Sequence, residues 1–302
     1  MLNAARDNAI LLNTPFPARD DELEWFIGPG QALDPNAYFI IVPNLFGNGR
    51  STSPSNAALA PGTYPRVTVY DNVVQQRRLV CEELGIERLR LAVGYSLGGQ
   101  QAYHWAALYP DRVERLAAIC SSARTSLHNQ VFLQSLRSAL TADPAWDGHW
   151  FGRPPERGLR AVAHCFAAWG LSHEFYRRRM FRTLGFASLD DFLAGSEAFF
   201  LTRDANDLLA MLETWSHADI SANPTFNGVL ETALAAITCR ALIMPGSSDF
   251  YFPADDSCAE VAALPDAELL IIPSAWGHRA GNPRQNPADA AFINEALSAF
   301  LT

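Results

Sequence analysis

The stretch Gly94-Tyr95-Ser96-Leu97-Gly98-Gly99 constrains this chain more than any other. The apolar run Leu89–Val93 before it reads as a strand, and Leu97–Tyr109 after it reads as a helix closed by Pro110. A serine set directly between the two lies on a sharp turn, in a strained backbone conformation, with its hydroxyl pushed out above the sheet. Glycines must flank it because side chains there would collide with the adjoining strand and helix. The Leu97 N–H, at the helix start, points where an oxyanion would form. A bare Gly-x-Ser-x-Gly is common in ordinary loops; the strand-then-helix setting separates this one from them.

The surrounding pattern supplies the sheet. Ala9–Leu12 and Tyr38–Pro43 read as partner strands, the second ending in the glycine-rich loop Asn44–Gly49. Asp71–Leu84 has the apolar spacing of a helix with Gly85 as its stop, and Val113–Ile119 is a further strand. Strand and helix alternating at this pace predict a parallel sheet with helices on both faces. The rhythm stops at about Ser126, gives way to aromatic-rich helical patterns, and resumes with Arg240–Pro245, Glu268–Pro273 and the helix Pro287–Leu301. The expected organisation is an α/β core, 1–125 and 231–302, interrupted by a helical insertion, 126–230. Such an insertion is a cap if it lies over the strand ends, where sheets of this kind bind ligands.

A serine hydroxyl is a weak nucleophile until a base takes its proton. His278 lies in a loop at a strand's carboxyl end, between Gly277 and Gly281. The other six histidines fall within helical patterns or the insertion, where surface or core roles suffice. The imidazole needs an acid to orient it, and Asp249 sits in the loop after the strand Arg240–Pro245. Asp255 and Asp256 are rivals, but at the start of the next helix capping and dipole compensation explain them. The chain order Ser96, Asp249, His278 is that of an α/β-hydrolase triad.

Composition removes other chemistries. All 23 basic residues are arginine, so a Schiff-base lysine and a lysine-ended phosphate loop are excluded. The formal charge of −9 argues against a nucleic-acid partner. Five scattered cysteines without a Cys-x-x-Cys pair read as reduced thiols of a cytoplasmic protein. No signal peptide, membrane span, metal-ligand spacing or cofactor is expected.

Several motifs carry a resemblance: Val42-Pro-Asn-Leu-Phe-Gly47, Gly94-Tyr-Ser-Leu-Gly-Gly-Gln100, Tyr109-Pro-Asp111, Ala142-Asp-Pro-Ala-Trp146, Arg203-Asp-Ala-Asn206 and Gly277-His278. Together they span nearly the whole chain, which resembles the α/β-hydrolase superfamily and, within it, the homoserine O-acetyltransferase-like group. The resemblance implies a covalent acyl-serine intermediate passed to an alcohol or water, and a helical cap often used for dimerisation. It also makes the Phe16 N–H the second oxyanion donor, with Thr14 able to add a hydroxyl; the alternative is a proline-stiffened surface loop. Arg160 resembles the position that holds a substrate carboxylate, against a solvated helix face. Tyr95, beside Ser96, and Trp276, beside His278, are candidates to line the pocket, whereas Arg177-Arg178-Arg179 reads as a solvated run.

Two departures matter. Homoserine-acetylating members have an acid after the catalytic histidine, and here that residue is Arg279. Two strands usually precede the segment with which this chain starts, which implies a shortened sheet or a truncated protein. The expected function is hydrolysis of small carboxylic esters through an acyl-Ser96 intermediate, without a cofactor, by a homodimer. The alternatives are an O-acetyltransferase with acetyl-CoA as co-substrate, and a non-catalytic binding protein on the same fold.

Overall fold

In the computed structural model, which describes residues 1–302, six strands form one wholly parallel sheet. They are β1 (Ala9–Asn13), β2 (Phe39–Ile41), β3 (Leu91–Tyr95), β4 (Arg115–Ile119), β5 (Arg240–Met244) and β6 (Ala267–Leu269), in the order β2-β1-β3-β4-β5-β6. The helices of the first half are α1 (Val69–Arg77), α2 (Leu97–Leu108), α3 (Leu127–Thr141), α4 (Glu156–Gly170) and α5 (His173–Arg177). Those of the second half are α6 (Leu189–Leu201), α7 (Ala205–Ser216), α8 (Leu230–Ala235), α9 (Ala254–Ala263) and α10 (Pro287–Leu301).

Apart from Arg115 and Arg240 at their first positions, the central strands are largely apolar because both faces are covered. Alternate residues serve opposite sides: Leu11, Ala92 and Leu116 join the core under α1 and α2, while Ile10, Val93 and Ala117 pack with Ile293 and Leu297 of α10. Each fully buried leucine, isoleucine or valine among them contributes roughly 1.5–3 kcal/mol relative to exposure.

Most strand ends differ from the sequence expectation by one or two residues, and two of the differences bear on the site. β3 runs to Tyr95 rather than Val93, so Ser96 follows it without a spacer, and Leu89 makes only an isolated bridge to Val113. β6 is shorter than Glu268–Pro273. Leu270 and Ile272 still donate to Ile243 and Pro245, but Pro245 has no N–H to return and the ladder breaks there.

Between residues 126 and 230 the chain is helical, apart from isolated bridges, and α8 starts at its far end. This segment shares the core of the sheet: Phe132 stacks on Tyr251 at 4.2 Å and Trp215 meets Phe16 at 5.6 Å. Motif residues in it are ties. Asp143 accepts from the Ala145 and Gly158 N–H groups, and Asn206 exchanges hydrogen bonds with the Phe151 backbone. From β1 the chain builds outward to β2 on one side and to β3 and beyond on the other. Sheets of this kind form a crevice at that switch point, beyond the strands' carboxyl ends. The loop after β1 and Ser96 both lie there.

Candidate active site

Ser96 has φ 58° and ψ −130°, a conformation that costs on the order of 1–3 kcal/mol for a residue with a side chain. Its surroundings fix it: its N–H donates to Ile119 at 2.9 Å, and its carbonyl accepts from Gly99 N–H at 2.9 Å and the Ser121 hydroxyl at 2.7 Å. The turn closes only on glycine. A Cβ on Gly94 would lie 2.1 Å from the Gly98 carbonyl carbon, and one on Gly98 would lie 2.3 Å from the Asn13 oxygen.

His278 stands on the short turn Gly277–Gly281 after β6, and it reaches both partners expected of it. Its Nε2 is 2.9 Å from Ser96 Oγ, and its Nδ1 is 2.7 Å from Asp249 Oδ2. The other Asp249 oxygen accepts from the Tyr251 and Phe252 N–H groups at 2.7 and 3.2 Å, so the carboxylate cannot turn away. A carboxylate at Nδ1 holds the proton there and leaves Nε2 to accept from the serine. The rings of Tyr95, Tyr251 and Phe252 stand 4.8, 4.6 and 5.5 Å from the imidazole and shield it from water. Asp255 and Asp256 lie in the first turn of α9, where they oppose its dipole, and neither bonds His278.

Leu97 and Phe16 are both buried, and neither backbone N–H donates in the hydrogen bonds of the turns, loops and caps. Thr14 does not join them. Its hydroxyl donates to the Pro43 carbonyl and accepts from the Leu45 N–H, which ties the loop after β1 to the loop after β2.

A cavity of about 520 Å³ adjoins this group, with Tyr95, Phe16, Phe166, Phe199 and Arg279 on its wall. Ser96, Asp249 and His278 lie outside that lining. A second cavity of about 320 Å³, near Tyr64 and Trp150, touches none of these three residues. Two expected pocket residues are elsewhere. Arg160 is on the exposed side of α4 and ion-paired with Glu197 of α6, so its guanidinium is spent outside the cavity. Trp276 is buried against Phe175, 5.3 Å between ring centres, under α5 and α6, and supports the histidine loop from beneath.

The α/β-hydrolase fold family matches residues 9–280. The chain belongs to that family. Among its relatives, the ethyl acetate hydrolase of Pseudomonas veronii is 39% identical over 283 residues, covering 92% of this chain and 80% of its own. The homoserine O-acetyltransferase of Rhodospirillum rubrum is 33% identical over 339 residues, covering 99% and 86%. The crystal structure of an acetylester hydrolase from Corynebacterium glutamicum superposes with a TM-score of 0.95 at 35% identity, covering 100% of this chain and 87% of that one.

Some residues of this α/β hydrolase that shape the site escape a reading by motif. Tyr251 and Phe252 hold Asp249 through their backbone and flank His278 with their rings; an aspartate two and three residues before them was the available signal, as an Asx turn. Asn129 of α3 donates to the Tyr251 carbonyl at 2.7 Å and anchors the acid loop from a distant segment, which no local pattern reports.

Proposed function

We propose that this α/β hydrolase is a serine-dependent carboxylic-ester hydrolase acting on small acyl esters. The observation that carries the reading is the unbroken relay Ser96–His278–Asp249, at 2.9 and 2.7 Å, buried among aromatic rings. Ser96 Oγ attacks the ester carbonyl carbon while His278 Nε2 takes its proton, and Asp249 stabilises the imidazolium. The carbonyl oxygen becomes an oxyanion facing the Leu97 and Phe16 N–H groups, each such donor being worth about 3 kcal/mol to the transition state. The tetrahedral intermediate collapses, the ester C–O bond breaks, and His278 returns the proton to the departing alcohol. Water then gives a proton to His278 and attacks the acyl-serine; the acid leaves and Ser96 regains its proton. Every role is filled by the chain, and no cofactor enters these steps.

The similarity to an ethyl acetate hydrolase and an acetylester hydrolase supports water as the acceptor. Arg279 speaks against homoserine, whose amine would meet a guanidinium. The segment 126–230 serves as the cap, supported by α4 and α6 residues on the cavity wall opposite the loop after β1. Cap, core and partner copy form a homodimer in this reading; exposed Leu127 and Val131, one turn apart on α3, support it. Five unpaired cysteines fit a cytoplasmic location, and no helix is long and apolar enough to cross a membrane.

Turnover of p-nitrophenyl acetate, with and without added alcohols, tests the reading, together with mass spectrometry after fluorophosphonate treatment. Expected are acetate release without an alcohol and an adduct on Ser96. Folded protein with no adduct would return the chain to a binding role, and release that depends on an alcohol, with transfer product, would make it an acyltransferase.

A further inference from the structure

A guanidinium on the cavity wall has no counterion. Arg279 directly follows His278, is half-buried, and lines the cavity together with Tyr95. One of its N–H groups donates to the neutral Gln285 side chain at 3.0 Å, and its carbon lies 5.8 Å from the Trp276 ring centre. It takes part in none of the ion pairs of the chain. Two phenols face it, Tyr95 and Tyr176, but burial pushes both up, Tyr176 to about 12, so neither supplies negative charge at neutral pH. The one acid on the wall, Glu22, is already paired with Arg203 and accepts from the Arg19 N–H at 2.8 Å. Arg284, exposed on the same wall and also outside any ion pair, adds a second positive charge. Phe166, Phe199 and Phe200 contribute apolar lining to the same cavity.

A cation held in partly apolar surroundings, with most of its donors unused, is stabilised by an anion that brings its own acceptors. The planar fork of a guanidinium matches a carboxylate in two parallel hydrogen bonds. We propose that Arg279 is an anion subsite, and that the preferred substrates are small esters bearing a carboxylate within a few bonds of the ester carbonyl. This rests on the ester-hydrolase reading and narrows it. The chain's overall charge of −9 repels such a substrate from afar, but screening over about 8 Å at physiological salt leaves the arginines to dominate at the cavity.

Two pairs of esters test it, each an anion beside a neutral compound of the same shape. Acetoxyacetate against isobutyl acetate places the carboxylate in the alcohol part; monoethyl succinate against ethyl 4-methylpentanoate places it in the acyl part. With each kcat/KM divided by the ester's rate with hydroxide, the anion is expected to lead by about ten- to a hundredfold in at least one pair. The leading pair identifies which part of the substrate Arg279 holds. Arg279→Gln should abolish the lead and Arg279→Lys should restore part of it. Should Arg279→Gln not fold, the salt dependence of the unaltered protein decides instead: KM rising with sodium chloride for the anionic ester alone supports the subsite, and KM unmoved by salt overturns it. Neutral esters turned over as well as or better than the anions in both pairs would also overturn the subsite. No turnover of any of the four would remove the hydrolase reading first, and the subsite with it.

Discussion

In the proposed mechanism Ser96, His278 and Asp249 act as one unit, because each hydrogen bond in the relay has meaning only if the other is made. Ser96→Ala and His278→Ala are each expected to lower kcat on the order of 10⁶-fold, and the double variant no further. Asp249→Asn should lower kcat by about 10⁴, since an amide at that place favours the wrong imidazole tautomer. Asp255→Asn and Asp256→Asn should leave kcat near that of the parent. Steady-state kinetics on p-nitrophenyl acetate checks all six, and multiplying losses in the double variant would show that the groups act separately. These three residues are legible in sequence because each sits just beyond the end of a strand, a position set by the backbone. Arg160 and Trp276 were not legible in the same way. The buried face of α4 carries Leu159, Val162 and Ala163, while Arg160 turns outward to Glu197 of α6, 37 residues away, a contact that no motif encodes.

The two N–H groups proposed to hold the oxyanion come from different elements, and Gly98 lies where those elements meet. The N-terminus of α2 packs on the carbonyl of Asn13, the last residue of β1, and Phe16 lies three residues further on. A methyl group on Gly98 must push α2 and the loop after β1 apart, carrying the Leu97 N–H away from the Phe16 N–H. Gly98→Ala is expected to lose about 1–3 kcal/mol of stability by overpacking and at least ~10²-fold in kcat/KM. Gly152→Ala, where a Cβ meets nothing within 4 Å, is the control. Urea unfolding and kinetics together check this, and an unchanged kcat/KM in Gly98→Ala would separate Phe16 from the oxyanion. The glycines themselves are plain in the sequence. That Gly98 faces Asn13 requires β1 and β3 to be neighbours, and that follows from sheet order, not from any local signal.

On the scale of the whole molecule, the hydrogen-bonded core carries a buried acid that no motif announced. Glu260 of α9 accepts from the Tyr103 hydroxyl of α2 at 2.9 Å and the Ala123 N–H beyond β4 at 2.7 Å, so three distant segments meet on it. Burial pushes its pKa up to about 8, from an ordinary 4.5. Between those values the folded chain holds a proton that the unfolded chain has released. Stability from this group is therefore complete below the unfolded value and falls as pH rises through the folded one. Glu260→Gln should remove that dependence. From about pH 5 to about pH 9 the parent should lose on the order of 3–5 kcal/mol relative to the variant in urea unfolding, and parallel curves would refute the assignment. The α/β rhythm made the sheet foreseeable, yet Glu260 shows what it leaves out: the inward side of α9 was invisible until α2 and β4 were in place. The contact under Gly277 has a mechanical meaning of its own. A Cβ there would lie 2.8 Å from the Ser172 nitrogen and 2.9 Å from the Gly170 oxygen, and the Ser172 hydroxyl donates to the Ala275 carbonyl. The end of α4 and the histidine turn are thus keyed together like tongue and groove. Through that joint, a displacement of the end of α4 is passed directly to the turn that carries His278.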